Sequence, residues 1–112
     1  MAKVQIISSL KDEVLKKFKG EAVKVFELMK SLGDNPHKGK VVGYVTGILI
    51  KELKYGGFRF YFIIDGGELR LYNRRELEDM LIKFVRMSDK KSQQKVINEI
   101  RDVLMRLGSE EF

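Results

Sequence analysis

ILIKELKYGGFRFYFIIDGGELRLYNR, residues 48–74, is the stretch on which the architecture turns. Two diglycines, Gly56-Gly57 and Gly66-Gly67, each stand between runs rich in β-branched and aromatic residues. A Gly-Gly pair readily takes the positive φ values of a two-residue hairpin. Three antiparallel strands are therefore predicted, over about 48–55, 58–65 and 68–73. If both bends hold two residues, the register follows by counting. Tyr55 faces Phe58, Lys54 faces Arg59 and Glu52 faces Tyr61. At the second bend, Ile63 faces Arg70, Tyr61 faces Tyr72 and Arg59 faces Arg74.

Side chains alternate along a strand, so this register makes the sheet two-faced. One side carries Glu52, Lys54, Arg59, Tyr61, Arg70, Tyr72 and Arg74. The other carries Leu49, Leu53, Phe58, Phe60, Phe62, Ile64, Leu69 and Leu71, a core surface for helices to cover. Lys51 falls on that apolar side, which calls for either a bulge or a snorkelling stem. A solvated sheet face is polar by default, but it usually mixes signs. Lys54 opposite Arg59 and Arg59 opposite Arg74 would set like charges together, at a cost of up to roughly 1 kcal/mol each. Such a cluster points to an anion.

Outward from this stretch, residues 3–7 alternate as a short strand. Ser9 precedes a helical run, with Asp12 placed to complete a capping box. Leu10, Val14 and Phe18 share a helical face, and Ala22, Phe26 and Met29 carry one onward to Leu32. Two helices in a hairpin turning near Gly20 are predicted, with one kinked helix as the alternative. Gly33-Asp34-Asn35-Pro36 ends the segment. Residues 41–54 read as extended, 73–80 as a short helix or an irregular excursion, and 81–87 as extended again. Ser88 begins a last element whose stripe is Val96, Ile100, Val103, Leu104 and Leu107, stopped by Gly108. The expected fold class is α+β: an N-terminal helical hairpin on one face of a mainly antiparallel twisted sheet, with a C-terminal helix.

The bulk properties agree. A chain of 112 residues suits one domain, 1–112. Hydrophobic residues at 44% and charged residues at 34% fit an ordinary core under a polar surface. No stretch approaches the ~20 apolar residues of a membrane span. The start Met-Ala-Lys-Val lacks a secretory signal, and there is no cysteine for a disulfide or a zinc-thiolate site, so the cytoplasm is expected. A net charge of +6 suits a polyanionic partner. His37 is the sole histidine, read as a solvated loop residue. Glu76, Glu78 and Asp79 are read as a solvated helix face, so neither a metal site nor a cofactor is expected.

Several segments resemble the RelE/ParE toxin superfamily, nearest to its HigB, phage-derived branch. They are Asn35-Pro36-His37-Lys38-Gly39-Lys40, then Glu52-Leu53-Lys54, then Phe58-Arg59-Phe60-Tyr61-Phe62. The late run from Phe84 through Arg86 and Ser88 to Lys90-Lys91 is similar to that branch's basic end. The resemblance implies the toxin of a type II toxin–antitoxin pair, a metal-independent, ribosome-dependent mRNA endonuclease. Its partners would be mRNA, the ribosome and a cognate antitoxin that covers the site, adding a strand at a sheet edge. Lys54 and Arg59 match basic positions that are functional in many members, and Arg86 matches the late basic residue. No histidine or tyrosine follows Leu81, and 73–80 has the look of an insertion.

RNA can be cut without metal when its 2′-OH attacks the adjacent phosphate. Arg59 and Lys54 are the candidates to hold the phosphate and its developing charge. Glu52 or Tyr61 would accept the proton, Tyr61 if surrounding cations favour its phenolate. Arg70, Arg74 and Arg86 would guide the backbone, Tyr61 or Tyr72 would stack a base, and Lys90 and Lys91 would touch RNA. Two other readings stay open: a ParE-like inhibitor of another target such as DNA gyrase, or a non-catalytic RNA-binding module.

Overall fold

The computed structural model describes residues 2–65 and 80–112. Strand β1 (Lys3–Ile6) leads into helix α1 (Ser8–Phe18), a 3-10 turn at Lys19–Glu21 and helix α2 (Ala22–Lys30). Strands β2 (Lys40–Val45), β3 (Ile48–Tyr55), β4 (Phe58–Asp65) and β5 (Leu81–Asp89) follow, then helix α3 (Gln93–Leu107). The described strands form one mixed sheet of order β1-β5-β4-β3-β2, in which β1 runs parallel to β5 and the other pairs are antiparallel. The fold is α+β.

The helical segment folds back on itself. A straight helix from Ser8 to Gly33 would span about 39 Å at 1.5 Å per residue. Yet the Gly33 carbonyl accepts the Ala2 N–H at 2.9 Å. Ala2 is six residues from Ser8, about 20 Å of chain at most. The reversal falls at Lys19, whose φ of 48° breaks the helical path, one residue before the predicted Gly20. The expected capping box does not form. Ile7 is the cap, without a side-chain acceptor, and its carbonyl receives the N–H groups of Leu10 and Lys11.

Strands β3 and β4 have the predicted bounds and register, Tyr55 opposite Phe58 and Glu52 opposite Tyr61. What the sequence reading ran together, 41–54, is two strands. Thr46 and Gly47 take φ of 46° and 85° and turn β2 into β3. The side of the sheet bearing Leu49, Leu53, Phe60, Phe62, Ile64 and Phe84 packs on Leu10, Val14, Val25 and Met29 of α1 and α2. Burying each such side chain stabilises by about 1.5–3 kcal/mol. Lys51 lies among them: its register with Phe62 is regular, the bulge beside it falls in β2 between Val41 and Gly43, its ammonium donates to the His37 carbonyl at 3.0 Å, and it sits 5.8 Å from the Phe62 ring centre.

The opposite side departs from expectation. It is not an open face, because α3 lies across it. Ile97, Ile100 and Leu104 pack on Val45, Ile48, Ile50, Tyr61, Ile63 and Val85. The buried stripe of α3 therefore includes Ile97, while Leu107, predicted to be part of it, is exposed. The last element also starts later than Ser88, which is the penultimate residue of β5. The sheet is covered by helices on both sides.

Candidate nucleic-acid interface

The β3–β4 bend is built by Gly56 and Gly57, with φ of 52° and 84°, a region that costs other residues roughly 1–2 kcal/mol each. It sets Lys54 opposite Arg59 and Glu52 opposite Tyr61, all four pointing to the α3 side. The four candidate catalytic residues thus share a face, as counted. They do not share an environment.

Tyr61 is fully buried and Glu52 is 2% exposed, because the start of α3 and the end of β5 close over them. The Tyr61 hydroxyl and Ser88 Oγ share a hydrogen bond of 2.8 Å. Gln93 at the start of α3 donates from Nε2 to Glu52 Oε2 at 3.1 Å, while Glu52 Oε1 has no partner among the described residues. Burial pushes the Tyr61 phenol above its ordinary range; the Ser88 bond opposes this, the Glu52 charge adds to it and the Arg59 charge opposes it. A phenolate is disfavoured there, so the condition on which Tyr61 would serve as base is not met in this arrangement. Neither Glu52 nor Tyr61 is open to a strand of RNA in this arrangement.

Lys54 and Arg59 stand nearer the bend, beyond the cover of α3. Lys54 is exposed and Arg59 half-buried. One guanidinium nitrogen of Arg59 donates to the Gly57 carbonyl at 3.0 Å, which ties the side chain to its own turn, and its Nε is buried without a partner among the described residues. Lys90 and Lys91 are exposed in the connection from β5 to α3. That connection is held by Asp89, which lies opposite Phe58 in the register and accepts the Ser92 N–H at 2.8 Å. Hydrogen bonds from Ser92 keep the Asp89 carboxyl below the usual carboxylate range.

Sequence reading missed two further cations at this end of the molecule. Lys16 and Lys17, in the last turn of α1, line a cleft of about 330 Å³ with Glu13, Phe58, Met87 and Asp89. The Lys17 ammonium lies 5.0 Å over the Phe58 ring. Their signal was the run Lys16-Lys17-Phe18-Lys19, easily passed over because cations favour a helix C-terminus anyway. Lys16, Lys17, Lys54, Arg59, Lys90 and Lys91 together make a basic pole around the β3–β4 bend. It can hold phosphate groups by hydrogen bonds and charge.

Arg86 is not part of it. It faces Tyr61 in the register, but a slip between Tyr61 and Phe62 leaves Val85 extra in β5. The bulge re-aims Arg86 onto the Phe112 ring, 5.0 Å from its centre. Arg70, Tyr72 and Arg74 lie outside the described residues. The register that paired them with β4 is corrected, since both edges of β4 are taken: Arg59, Tyr61 and Ile63 face Ser88, Arg86 and Lys83 on the side away from β3. A sheet edge accepts one neighbour, and the strand that wins here comes from later in the chain.

His37 is exposed in the loop before β2, its carbonyl engaged by Lys51. Among the described residues no helix is long and apolar enough to cross a membrane. No family model, no curated protein and no solved structure matches the chain.

Proposed function

We propose that this chain is a RelE-like RNA-binding domain, the toxin of a type II toxin–antitoxin pair, acting on mRNA at the ribosome and so in the cytoplasm. The observation that carries the reading is Lys54 directly opposite Arg59 at the solvent end of the sheet, where two like charges meet in register. The pairing is unfavourable on its own and becomes favourable around a phosphate. Lys90 and Lys91 add charge in the connection after β5, and Lys16 and Lys17 add it from the other side of the sheet, over Phe58.

In the endonuclease reading, the 2′ oxygen of a nucleotide bonds to the adjacent phosphorus as the bond to the 5′ oxygen breaks, leaving a 2′,3′-cyclic phosphate and a 5′-hydroxyl. Arg59 and Lys54 stabilise the charge on the phosphorane, a contribution of roughly 3–4 kcal/mol per well-placed donor. The proton of the 2′-OH must go to a base, and the leaving 5′ oxygen must take a proton from an acid to become the 5′-hydroxyl. Glu52 and Tyr61 are shut away from it, and this favours a second reading, a module that binds RNA without cutting it.

Induced expression with transcript-end mapping separates the two. Growth arrest with cuts inside translated codons, abolished in Arg59→Ala, supports the enzyme. RNA binding that falls about tenfold in Arg59→Ala, with transcripts intact, supports the module. Arrest with intact mRNA and no RNA binding points to another target, as in ParE-like gyrase inhibition. A folded Arg59→Ala protein that binds and acts like the parent removes the site altogether.

A further inference from the structure

We infer that the cleft where β1 passes into α1 is a second ligand site, one for a phosphate ester, separate from the basic pole at the β3–β4 bend. The cleft has a volume of about 920 Å³. That lies within the roughly 300–1,000 Å³ of small-molecule sites. The side chains of Lys11, Lys30, Arg86 and Glu111 line it. Among the described residues, none of the four takes part in an ion pair within 4.0 Å. Three cations gathered around open space repel one another, and an anion in that space relieves the repulsion.

The chemistry of the walls narrows the anion. Arg86 reaches the cleft because of the bulge in β5, and its guanidinium is fixed in place by the Phe112 ring at 5.0 Å and by one bond to the Val85 carbonyl at 2.7 Å. Only one of its five N–H groups is used by that bond, and a held, planar fork suits two oxygens of one phosphorus. Ser8 and Ser9 add exposed hydroxyls on the same wall, each able to donate. A phosphate monoester, doubly charged and rich in acceptors, satisfies three cations and two hydroxyls better than a lone carboxylate does. Phe26 and Phe112 supply apolar rings to cover the organic part, so the ligand class is a nucleotide-like ester, whether free or at the end of an RNA.

Amide NMR of the full chain, titrated with adenosine 5′-monophosphate, with adenosine and with a 5′-phosphorylated RNA pentamer, tests this. Saturable shifts at Ser8, Ser9 and Lys11 are expected with the monophosphate, and a response at least about tenfold weaker with adenosine. A response to the pentamer and not the monophosphate still supports the site and assigns the ester to an RNA end. Lys30→Ala, at an exposed position that leaves packing intact, and Arg86→Ala should each weaken the response about tenfold. Equal shifts from adenosine, no saturable shift at these residues, or undiminished binding in the folded Lys30→Ala protein would overturn the inference. Ser8 and Ser9 are distant in sequence from Lys54 and Arg59 and stand about two turns of α1 before Lys16 and Lys17, so failure at the bend leaves their shifts readable.

Discussion

Lys51 holds its ammonium against the His37 carbonyl from the apolar side of the sheet, and burial lowers its pKa below the ordinary lysine value of 10.5. The sign of the consequence follows from proton counting. Between the folded pKa and 10.5 the unfolded chain holds more protons than the native one, so stability rises with pH across that window. Below the window the full cost of the buried charge is present. Lys51→Met is therefore expected to be more stable than the parent at pH near 8, and the gap should narrow toward pH 10. Urea midpoints of both proteins at the two pH values check this; a gap that widens would show that the His37 contact outweighs desolvation. Glu52, one residue along, points the other way: its carboxylate lies under α3, with Gln93 as its one donor among the described residues. Composition and spacing named both residues, yet their alternation along β3 said only which side each faces, not what lies on top.

Helix α3 is the element that decided the character of the site. Its apolar stripe was visible in the sequence, and a stripe must be buried somewhere, but nothing local says on which face of the sheet. It covers the side away from α1 and α2 and thereby turns half of an expected open surface into a second core. Ile100 is fully buried at the centre of that contact. Ile100→Ala should cost about 2–5 kcal/mol, the usual range for such a truncation, read from denaturant unfolding. A loss below about 0.5 kcal/mol, typical of surface positions, would mean that α3 is not packed there. The hairpin between β3 and β4 shows the reverse case: two glycines in sequence were enough, because the turn and the register are set by the same few residues.

For the molecule as a whole, the excess of +6 matters less than where it gathers. If RNA is held by the pole, binding must release counterions. The slope of log affinity against log salt should lose about 0.7 in Lys54→Ala, the value for one single-strand phosphate contact. Equal slopes for parent and variant, measured by fluorescence anisotropy between low and moderate salt, would exclude Lys54 from the contact. The linear chain by itself determined the strands β3 and β4, the Lys54–Arg59 pairing, the glycine bend and the presence of helices at either side of the strand-rich middle. Each of these depends on residues close together, through φ preference and alternation. Only the tertiary structure decided that β5 lies beside β4, that α3 buries Tyr61 and Glu52, and that a bulge sends Arg86 to a different cleft. Those outcomes are contests between distant segments for one strand edge and one sheet face, and they are settled by total buried area, which no short window of sequence contains.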